Sequence, residues 1–259
     1  MDSYEVTLTF YLLPRVSERK KLISFISSGI LSRERREAHS RERIPPLRPI
    51  VDTIGSTHYG VGKFISKLLH PLTQNQYHLK DSFDAAEKIS GIPRQLYDDG
   101  YRFVSFDVKS LFTNVPLNKT IEIILDRVYN KKVISTALKK QTLKKLMKDT
   151  CSKTAFMYDG IIYEQIDGVS MGAALGPVLA NIIMTEMERV VVDQLIQSGK
   201  IKFYAKYVDD ILHLVKPDDI DDILQRFNNF HRNIEFTVHG LLNTLHGRIC
   251  CRKWFLLRG

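Results

Sequence analysis

The sequence has little cysteine, no basic residues near its start and no long apolar run, and each absence argues against a class of protein. The three cysteines, Cys151, Cys250 and Cys251, give neither a disulfide framework nor the spacing of zinc ligands. The first residues carry Asp2 and Glu5 instead of a basic region, so we expect no signal peptide. No segment approaches the run of about 18 apolar residues that a membrane span requires. We therefore expect a reducing, intracellular compartment and no contact with a membrane.

What the sequence does contain is enough apolar residues for a substantial core and an excess of basic charge. The chain has 259 residues, of which 44% are hydrophobic, and this suits one large domain or two small ones. Lys and Arg number 38 against 29 Asp and Glu, for a net charge of +9. This balance favours a polyanionic partner such as nucleic acid. Residues 15–48 are basic and irregular, and we interpret them as a mobile loop that is either solvated or in contact with nucleic acid.

Two adjacent carboxylates fall where the sequence predicts a hairpin turn. Asp209 and Asp210 separate the apolar segments 202–208 and 211–215, which read as two strands joined by a two-residue turn. Asp107 follows a third apolar strand. Asp is common in turns without any function, because it tolerates turn geometry. Three carboxylates converging from two strands would instead suit Mg²⁺, which prefers oxygen ligands, and nucleotidyl transfer uses two such ions about 3.5–4 Å apart.

The spacing of apolar residues elsewhere predicts a mixture of strands and helices. We predict strands over residues 47–51 and 101–108, helices over residues 63–69, 137–148 and 175–196, and further helices that begin near Thr120 and at Asp218. The helix over 137–148 carries lysines on its polar face. These lysines either meet phosphates or keep the surface soluble.

Four short segments stand in a specific order along the chain. They are Leu-Arg-Pro-Ile-Val at 47–51, Ser-Phe-Asp-Val-Lys-Ser-Leu-Phe-Thr-Asn-Val-Pro at 105–116, Gly-Val-Ser-Met-Gly at 168–172 with Pro-Val-Leu-Ala-Asn at 177–181, and Tyr-Val-Asp-Asp at 207–210. This ordered set resembles the reverse transcriptase core of Penelope-like retroelements, which are relatives of the telomerase catalytic subunit. The resemblance implies an α+β fold, the palm of a right-hand polymerase, with an antiparallel sheet packed on helices.

The resemblance also implies a division of the chain. It gives a basic segment at 1–46 that would be degenerate fingers, fingers at 47–100, a palm at 101–238 and an atypical tail at 239–259. We expect no thumb in the tail, because its sequence does not continue the family's pattern and the chain resembles a truncated copy of the element.

Catalytic and metal-binding roles follow from the resemblance position by position. Asp107 and Asp209 match the aspartates that hold two Mg²⁺ or Mn²⁺ ions, and Asp210 matches the supporting carboxylate. Val108 would lend its backbone carbonyl to a metal ion. Substitution of Asp107 or Asp209 is therefore expected to be the most damaging.

The resemblance implies five substrate-binding residues as well. Arg48 matches the arginine that meets the incoming triphosphate, which suits the bidentate guanidinium. Phe112 matches the ring that excludes a ribose 2′-hydroxyl, although it also reads as a core aromatic. Gln165 and Gly168 fall in the segment that lines the nucleotide and template pocket, where glycine permits close approach. Lys63 would contact phosphate or the template backbone, or would simply be solvated.

The implied substrates are an RNA template, a DNA primer and dNTPs, and the implied location is the nucleus. Two other functions remain open. One is a catalytically inactive remnant that only binds nucleic acid through its basic surface. The other is a metal-dependent phosphohydrolase or nuclease that uses the same carboxylates on a different fold.

Overall fold

The computed structural model describes residues 8–9, 50–51, 53, 56, 58–151, 154–158, 161–165 and 168–242. The chain divides into two units, each of which is discontinuous in sequence. The first unit comprises residues 1–73 and 110–183, and the second comprises residues 74–109 and 184–259. The segment 101–238, predicted as the palm, therefore contributes to both units. The basic loop predicted at 15–48 lies outside the described residues.

The described strands, in chain order, are β1 (Leu8–Thr9), β2 (Ile50–Val51), β3 (Arg102–Val108), β4 (Thr154–Tyr158), β5 (Ile161–Gln165), β6 (Ile201–Tyr207), β7 (Asp210–Val215) and β8 (Phe236–Leu242). The α-helices are α1 (Tyr59–Leu69), α2 (Ser82–Ser90), α3 (Gln95–Asp98), α4 (Leu111–Asn114), α5 (Leu117–Leu125), α6 (Lys140–Cys151), α7 (Gly176–Met187), α8 (Asp193–Gln197) and α9 (Ile220–Asn228). Short 3₁₀ segments occupy His70–Thr73 and Pro217–Asp219, and π-helical turns occupy Asp126–Asn130 and Glu188–Val192.

The second unit is built on a four-stranded antiparallel sheet in the order β6-β7-β3-β8. Successive side chains of a strand point to opposite faces of the sheet, and both faces are covered here. On one face, the ring of Phe227 in α9 meets those of Phe106 and Phe236 edge-on, with centroid distances of 5.5 and 5.1 Å. On the other face, Phe103 and Leu212 pack with residues from α2 and α3. The two central strands are consequently almost fully buried.

The first unit holds most of the remaining helices and two two-stranded antiparallel sheets, β1-β2 and β4-β5. Helices α5 and α6 each bury an apolar stripe, which includes Ile121 and Ile124 of α5 and Leu143 of α6. Gly62 of α1 lies so close to α6 that a Cβ atom there would sit 3.0 Å from the Thr150 methyl group. This close approach fixes the packing of α1 on α6.

The structure confirms the predicted α+β class and the antiparallel sheet packed on helices. Strand β3 lies where residues 101–108 predicted it, whereas α1 begins four residues before the predicted start and α6 begins at Lys140. The single helix predicted over 175–196 is instead α7, a π-helical turn and α8 in succession. None of the described helices has the length and apolar character to cross a membrane.

Candidate active site

Two predicted site residues of the second unit stand directly opposite each other in the sheet. Asp107 of β3 pairs with Asp210, the first residue of β7. Residues opposed in this way project from the same face, with Cβ atoms about 4.5–5.5 Å apart. Asp107 is buried, with 4% of its surface exposed, and Asp210 is half-buried. The sheet thus ends in a pair of facing carboxylates.

The third predicted carboxylate lies in the turn that joins β6 to β7. Tyr207 pairs with Asp210, which leaves Val208 and Asp209 as the two turn residues. The turn was predicted one residue later, at 209–210. Val208 has a φ of 56°, a left-handed conformation that is an outlier for a β-branched residue and costs about 1–3 kcal/mol. The surrounding contacts must therefore hold this turn in place.

The register of the four strands places four polar side chains in one row across the sheet. Tyr207 is opposite Asp210, Asp210 is opposite Asp107, and Asp107 is opposite Thr237 of β8. Tyr207 and Thr237 were not predicted as site residues. The strand of Tyr207 was predicted from its apolar residues, whereas the strand of Thr237 was not. The cross-strand register that aligns the two residues is a long-range property.

The chemistry of this row fits a divalent cation. Carboxylate oxygens are the ligands that Mg²⁺ prefers, and it commonly binds through one or two carboxylates together with substrate phosphates. Like charges directly opposite each other are unfavourable in a sheet, so a cation between Asp107 and Asp210 would relieve their repulsion. Among the described residues, no group of three or more His, Cys, Asp or Glu side chains forms a metal site. The predicted ligand set of Asp107, Val108, Asp209 and Asp210 stays a prediction.

In the first unit, the structure brings Phe112 and Gly168 together. The backbone N–H of Val169 donates to the carbonyl of Phe112 at 2.8 Å. Gly168 has a φ of +73°, and a Cβ atom there would lie only 2.3 Å from the Thr113 carbonyl oxygen. A Cβ atom on Gly176 would lie 3.9 Å from the Phe112 ring. The segment that begins at Gly168 therefore packs against Phe112 and requires glycine at its start.

The remaining predicted residues are three substrate-binding residues and the metal ligand Val108. Gln165 ends β5 and is half-buried. Lys63 is exposed on α1, and its Nζ lies 5.5 Å from the centroid of the Tyr59 ring. Val108 ends β3 and is buried. Arg48 lies outside the described residues.

An open groove runs beside α1 in the first unit, and sequence reasoning did not identify it. Its volume is about 510 Å³, and its lining includes Tyr59, Lys63, Lys67, His70 and Gly172. The first three of these residues recur at a spacing of four, which places them on one face of the helix. The groove therefore combines cationic and aromatic side chains along one wall.

An antiparallel sheet packed on helices, with carboxylates at the turn of one hairpin and on the adjacent strand, is the palm architecture of nucleic-acid polymerases. The sequence profile of the family described as reverse transcriptase (RNA-dependent DNA polymerase) matches residues 56–240, which is well over half of the chain. This chain belongs to that family.

Solved structures with a similar fold include yeast telomerases. Apo telomerase from Candida tropicalis, truncated from its C-terminal domain, superposes with a TM-score of 0.56 at 10% identity, covering 78% of this chain and 49% of that one. Telomerase from Candida albicans with a three-way-junction fragment (TWJ) of telomeric RNA gives a TM-score of 0.51 at 15% identity, covering 84% and 39%. The chain thus spans less than half the length of these telomerases. No curated protein matches the chain significantly.

Proposed function

We propose that this chain is the polymerase core of a Penelope-like retroelement, an RNA-directed DNA polymerase that adds dNTPs to a primer 3′-hydroxyl. The observation that carries the proposal is the pairing of Asp107 with Asp210, next to Asp209 in the hairpin turn. All three lie within the segment that matches the reverse transcriptase family. The retroelement part rests on the ordered sequence segments.

The proposal gives each site residue of the palm sheet a role. Asp107 and Asp209 would hold two divalent cations, Asp210 would support them, and the Val108 carbonyl would add a ligand. Bound Mg²⁺ or Mn²⁺ supplies Lewis-acid activation of the attacking hydroxyl and neutralises charge on the departing pyrophosphate. The sheet holds the backbone of Asp107 in place, because β3 is hydrogen-bonded to a neighbouring strand on each side.

The residues of the first unit would bind template and nucleotide. Proteins hold single-stranded nucleic acid by combining a positively charged groove with aromatic rings, and the groove of α1 offers both in Lys63, Lys67 and Tyr59. We place the RNA template backbone along this groove, with Lys63 at a phosphate. Phe112 would exclude the ribose 2′-hydroxyl by steric overlap, and its contact with the Gly168 segment would hold the ring in position.

The test is primer extension by the full chain on an RNA template with labelled dNTPs and Mg²⁺ or Mn²⁺. We expect Asp209→Asn to reduce extension to background, because a neutral amide is a poor ligand for a hard cation. The matched control is Asp221→Asn, which removes an exposed carboxylate at the start of α9 and should leave the rate unchanged. Extension by Asp209→Asn at the parent rate would exclude the mechanism.

The second candidate function is a catalytically inactive remnant that only binds nucleic acid. It is favoured by the net charge of +9 and by the exposed lysines Lys140, Lys144, Lys145 and Lys148 of α6. Such binding would weaken steeply with salt and would be equal with and without Mg²⁺. Binding of this kind without any incorporation at high protein concentration would select this candidate, and measurable dNTP incorporation would exclude it.

The assignment to a Penelope-like element has an independent test. Full-length relatives often carry a GIY-YIG endonuclease after the polymerase. Neighbouring genomic reading frames that encode a thumb and this endonuclease would support the assignment. A genomic context without either would count against it, whatever the activity of the chain.

A further inference from the structure

A fully buried ion pair lies on the opposite face of the sheet from the facing carboxylates. Lys206 of β6 places its Nζ 3.1 and 3.2 Å from the two carboxylate oxygens of Glu188, and neither side chain is exposed at all. Burial lowers the pKa of Lys206, and the adjacent Glu188 opposes this shift. Removing two charges from water costs several kcal/mol per ion, so a buried pair persists only with good geometry and further hydrogen bonds.

The hydrogen bonds that such a pair requires are present. The hydroxyl of Tyr204 donates to Glu188 Oε1 at 3.2 Å, and the amide of Asn75 donates to Glu188 Oε2 at 2.5 Å. Glu188 therefore accepts hydrogen bonds from β6 and from the segment that precedes α2. Each carboxylate oxygen accepts from two groups, which fixes its orientation.

The backbone of Lys206 is held as firmly as its side chain. Its N–H donates to the carbonyl of Tyr77 at 2.9 Å, and its carbonyl accepts from the N–H of Leu79 at 2.9 Å. The Tyr77 hydroxyl donates in turn to Asp193 at 2.5 Å. Segment 75–79 thus covers the outer edge of β6 and ties it to the helix that contains Glu188. Lys206 is the residue where these contacts meet.

Glu188 also begins the π-helical turn that interrupts the long helix after α7. A π turn inserts a residue into a helix, and such turns occur frequently at functional sites. The turn changes the angular position of the residues that follow, including Asp193 at the start of α8. Glu188, which binds segment 75–79 and β6, is thus the first residue of the turn, and Asp193, which binds segment 75–79, directly follows its last residue.

Lys206 is separated from the strained turn by Tyr207 alone. A turn with Val208 at a φ of 56° persists only where the surrounding structure determines it. We infer that the buried Glu188–Lys206 pair is a positioning device, which holds the hairpin so that Asp209 and Asp210 stay in register with Asp107. This inference rests on the proposed function, since it concerns the same carboxylates. All of these residues belong to the second unit.

A purely structural role makes a different prediction from a positioning role. Removing one partner of a buried pair leaves an uncompensated charge and is strongly destabilising, whereas replacing both with neutral residues of similar volume is often neutral or stabilising. The double variant Glu188→Gln with Lys206→Met removes both charges and keeps one acceptor oxygen, which serves Tyr204. The amide of Asn75 loses its acceptor, but Asn75 is only half-buried and can donate to water instead. Its melting temperature is therefore expected near that of the parent, and either single variant is expected to melt lower.

The decisive measurement is Mn²⁺ affinity of the full chain, by titration, alongside kcat and KM for dNTP. We expect the stable double variant to bind Mn²⁺ about 10-fold more weakly, the lower end of the effect of losing a group that is hydrogen-bonded to a metal ligand, because the pair acts through the backbone of the hairpin. We also expect its kcat to fall while KM for dNTP changes little. The matched control, Lys200→Met with Asp222→Asn, removes a 2.8 Å ion pair elsewhere in the second unit and should change none of these three quantities.

A double variant that binds Mn²⁺ like the parent overturns the positioning role. Should that variant fail to fold, Tyr204→Phe removes only the hydroxyl that reaches Glu188, and unchanged Mn²⁺ affinity in this variant overturns the role equally. If the single variant Asp209→Asn binds Mn²⁺ as well as the parent does, the proposed function is wrong and the positioning role is wrong with it. Loss confined to the double variant and Tyr204→Phe, with the Lys200 control intact, supports the inference.

Discussion

The strand that carries Asp210 also carries a buried histidine, and its protonation should make the stability of the chain depend on pH. His213 of β7 has its ring 4.2 Å from that of Phe106 and stacked on that of Tyr204 at 6.3 Å. Within the described part of the chain, neither ring nitrogen has a hydrogen-bond partner. Burial lowers the pKa of His213 to about 3. Folding therefore requires the neutral imidazole.

The sign and size of the effect follow from the difference between folded and unfolded states. An unfolded histidine titrates near its ordinary pKa of about 6.5, so between that pH and pH 3 the unfolded state binds the extra proton. Stability is therefore full above about pH 6.5 and falls as the pH decreases. Each pH unit within this range lowers the free energy of unfolding by about 1.4 kcal/mol. The loss of unfolding free energy between pH 7 and pH 5 is therefore about 2 kcal/mol.

The assay is urea denaturation of the parent and of His213→Leu at pH 7 and pH 5. At pH 7 we expect His213→Leu to be at least as stable as the parent, because it removes two buried nitrogens that lack partners. At pH 5 the free energy of unfolding of His213→Leu, relative to that of the parent, should be larger by about 2 kcal/mol than it is at pH 7. The comparison between proteins cancels the contribution of carboxylates that titrate in the same range.

The matched control is His70→Gln, which changes an exposed histidine and should leave the difference from the parent the same at both pH values. Parallel loss of stability by the parent and His213→Leu would show that the imidazole is not held neutral, and the reasoning from burial would then be wrong.

Three further predictions concern the first unit. Phe112→Ala should raise incorporation of rNTPs relative to dNTPs in primer extension, and an unchanged ratio would remove Phe112 from the sugar site. Gly168→Ala should lower the melting temperature and disturb this selectivity, because its Cβ atom would overlap the Thr113 carbonyl, whereas Gly60→Ala, with open space around it, should be harmless. Burial raises the pKa of the Cys151 thiol to about 12, so with the two later cysteines replaced by serine the native chain should react with a thiol reagent only as fast as it unfolds.

The local elements were predictable because they depend on short-range patterns. Strand β3 and the β6-β7 hairpin follow from apolar segments beside carboxylates. The turn was predicted one residue too late, because Asp209-Asp210 suits turn chemistry better than Val208-Asp209 does. The position of the turn is set by the pairing of β7 with β3, in which Asp210 is opposite Asp107 and is therefore the first residue of β7. A tertiary contact overrode a local preference.

The remainder depends on residues that are distant in sequence. Glu188 reads as an ordinary acid on an amphipathic helix, and Lys206 reads as a solvated lysine in an exposed strand. Only the fold brings them together, in full burial, with Asn75 from a third segment. Thr237 gave no chemical signal either, because its place beside Asp107 arises from the pairing of β8 with β3.

Successive side chains of β6 lie on opposite faces of the sheet, and charge is balanced differently on the two faces. Tyr207 lies on the face of the facing carboxylates, whose repulsion an added cation would relieve, and Lys206 lies on the other face, where Glu188 already balances it. A slip of one residue between β6 and β7 would exchange these faces. Lys206 would then project beside Asp210, and the partner of Glu188 would be lost. The two-residue length of the turn is therefore fixed from both sides of the sheet, which explains why the strained conformation of Val208 is tolerated there.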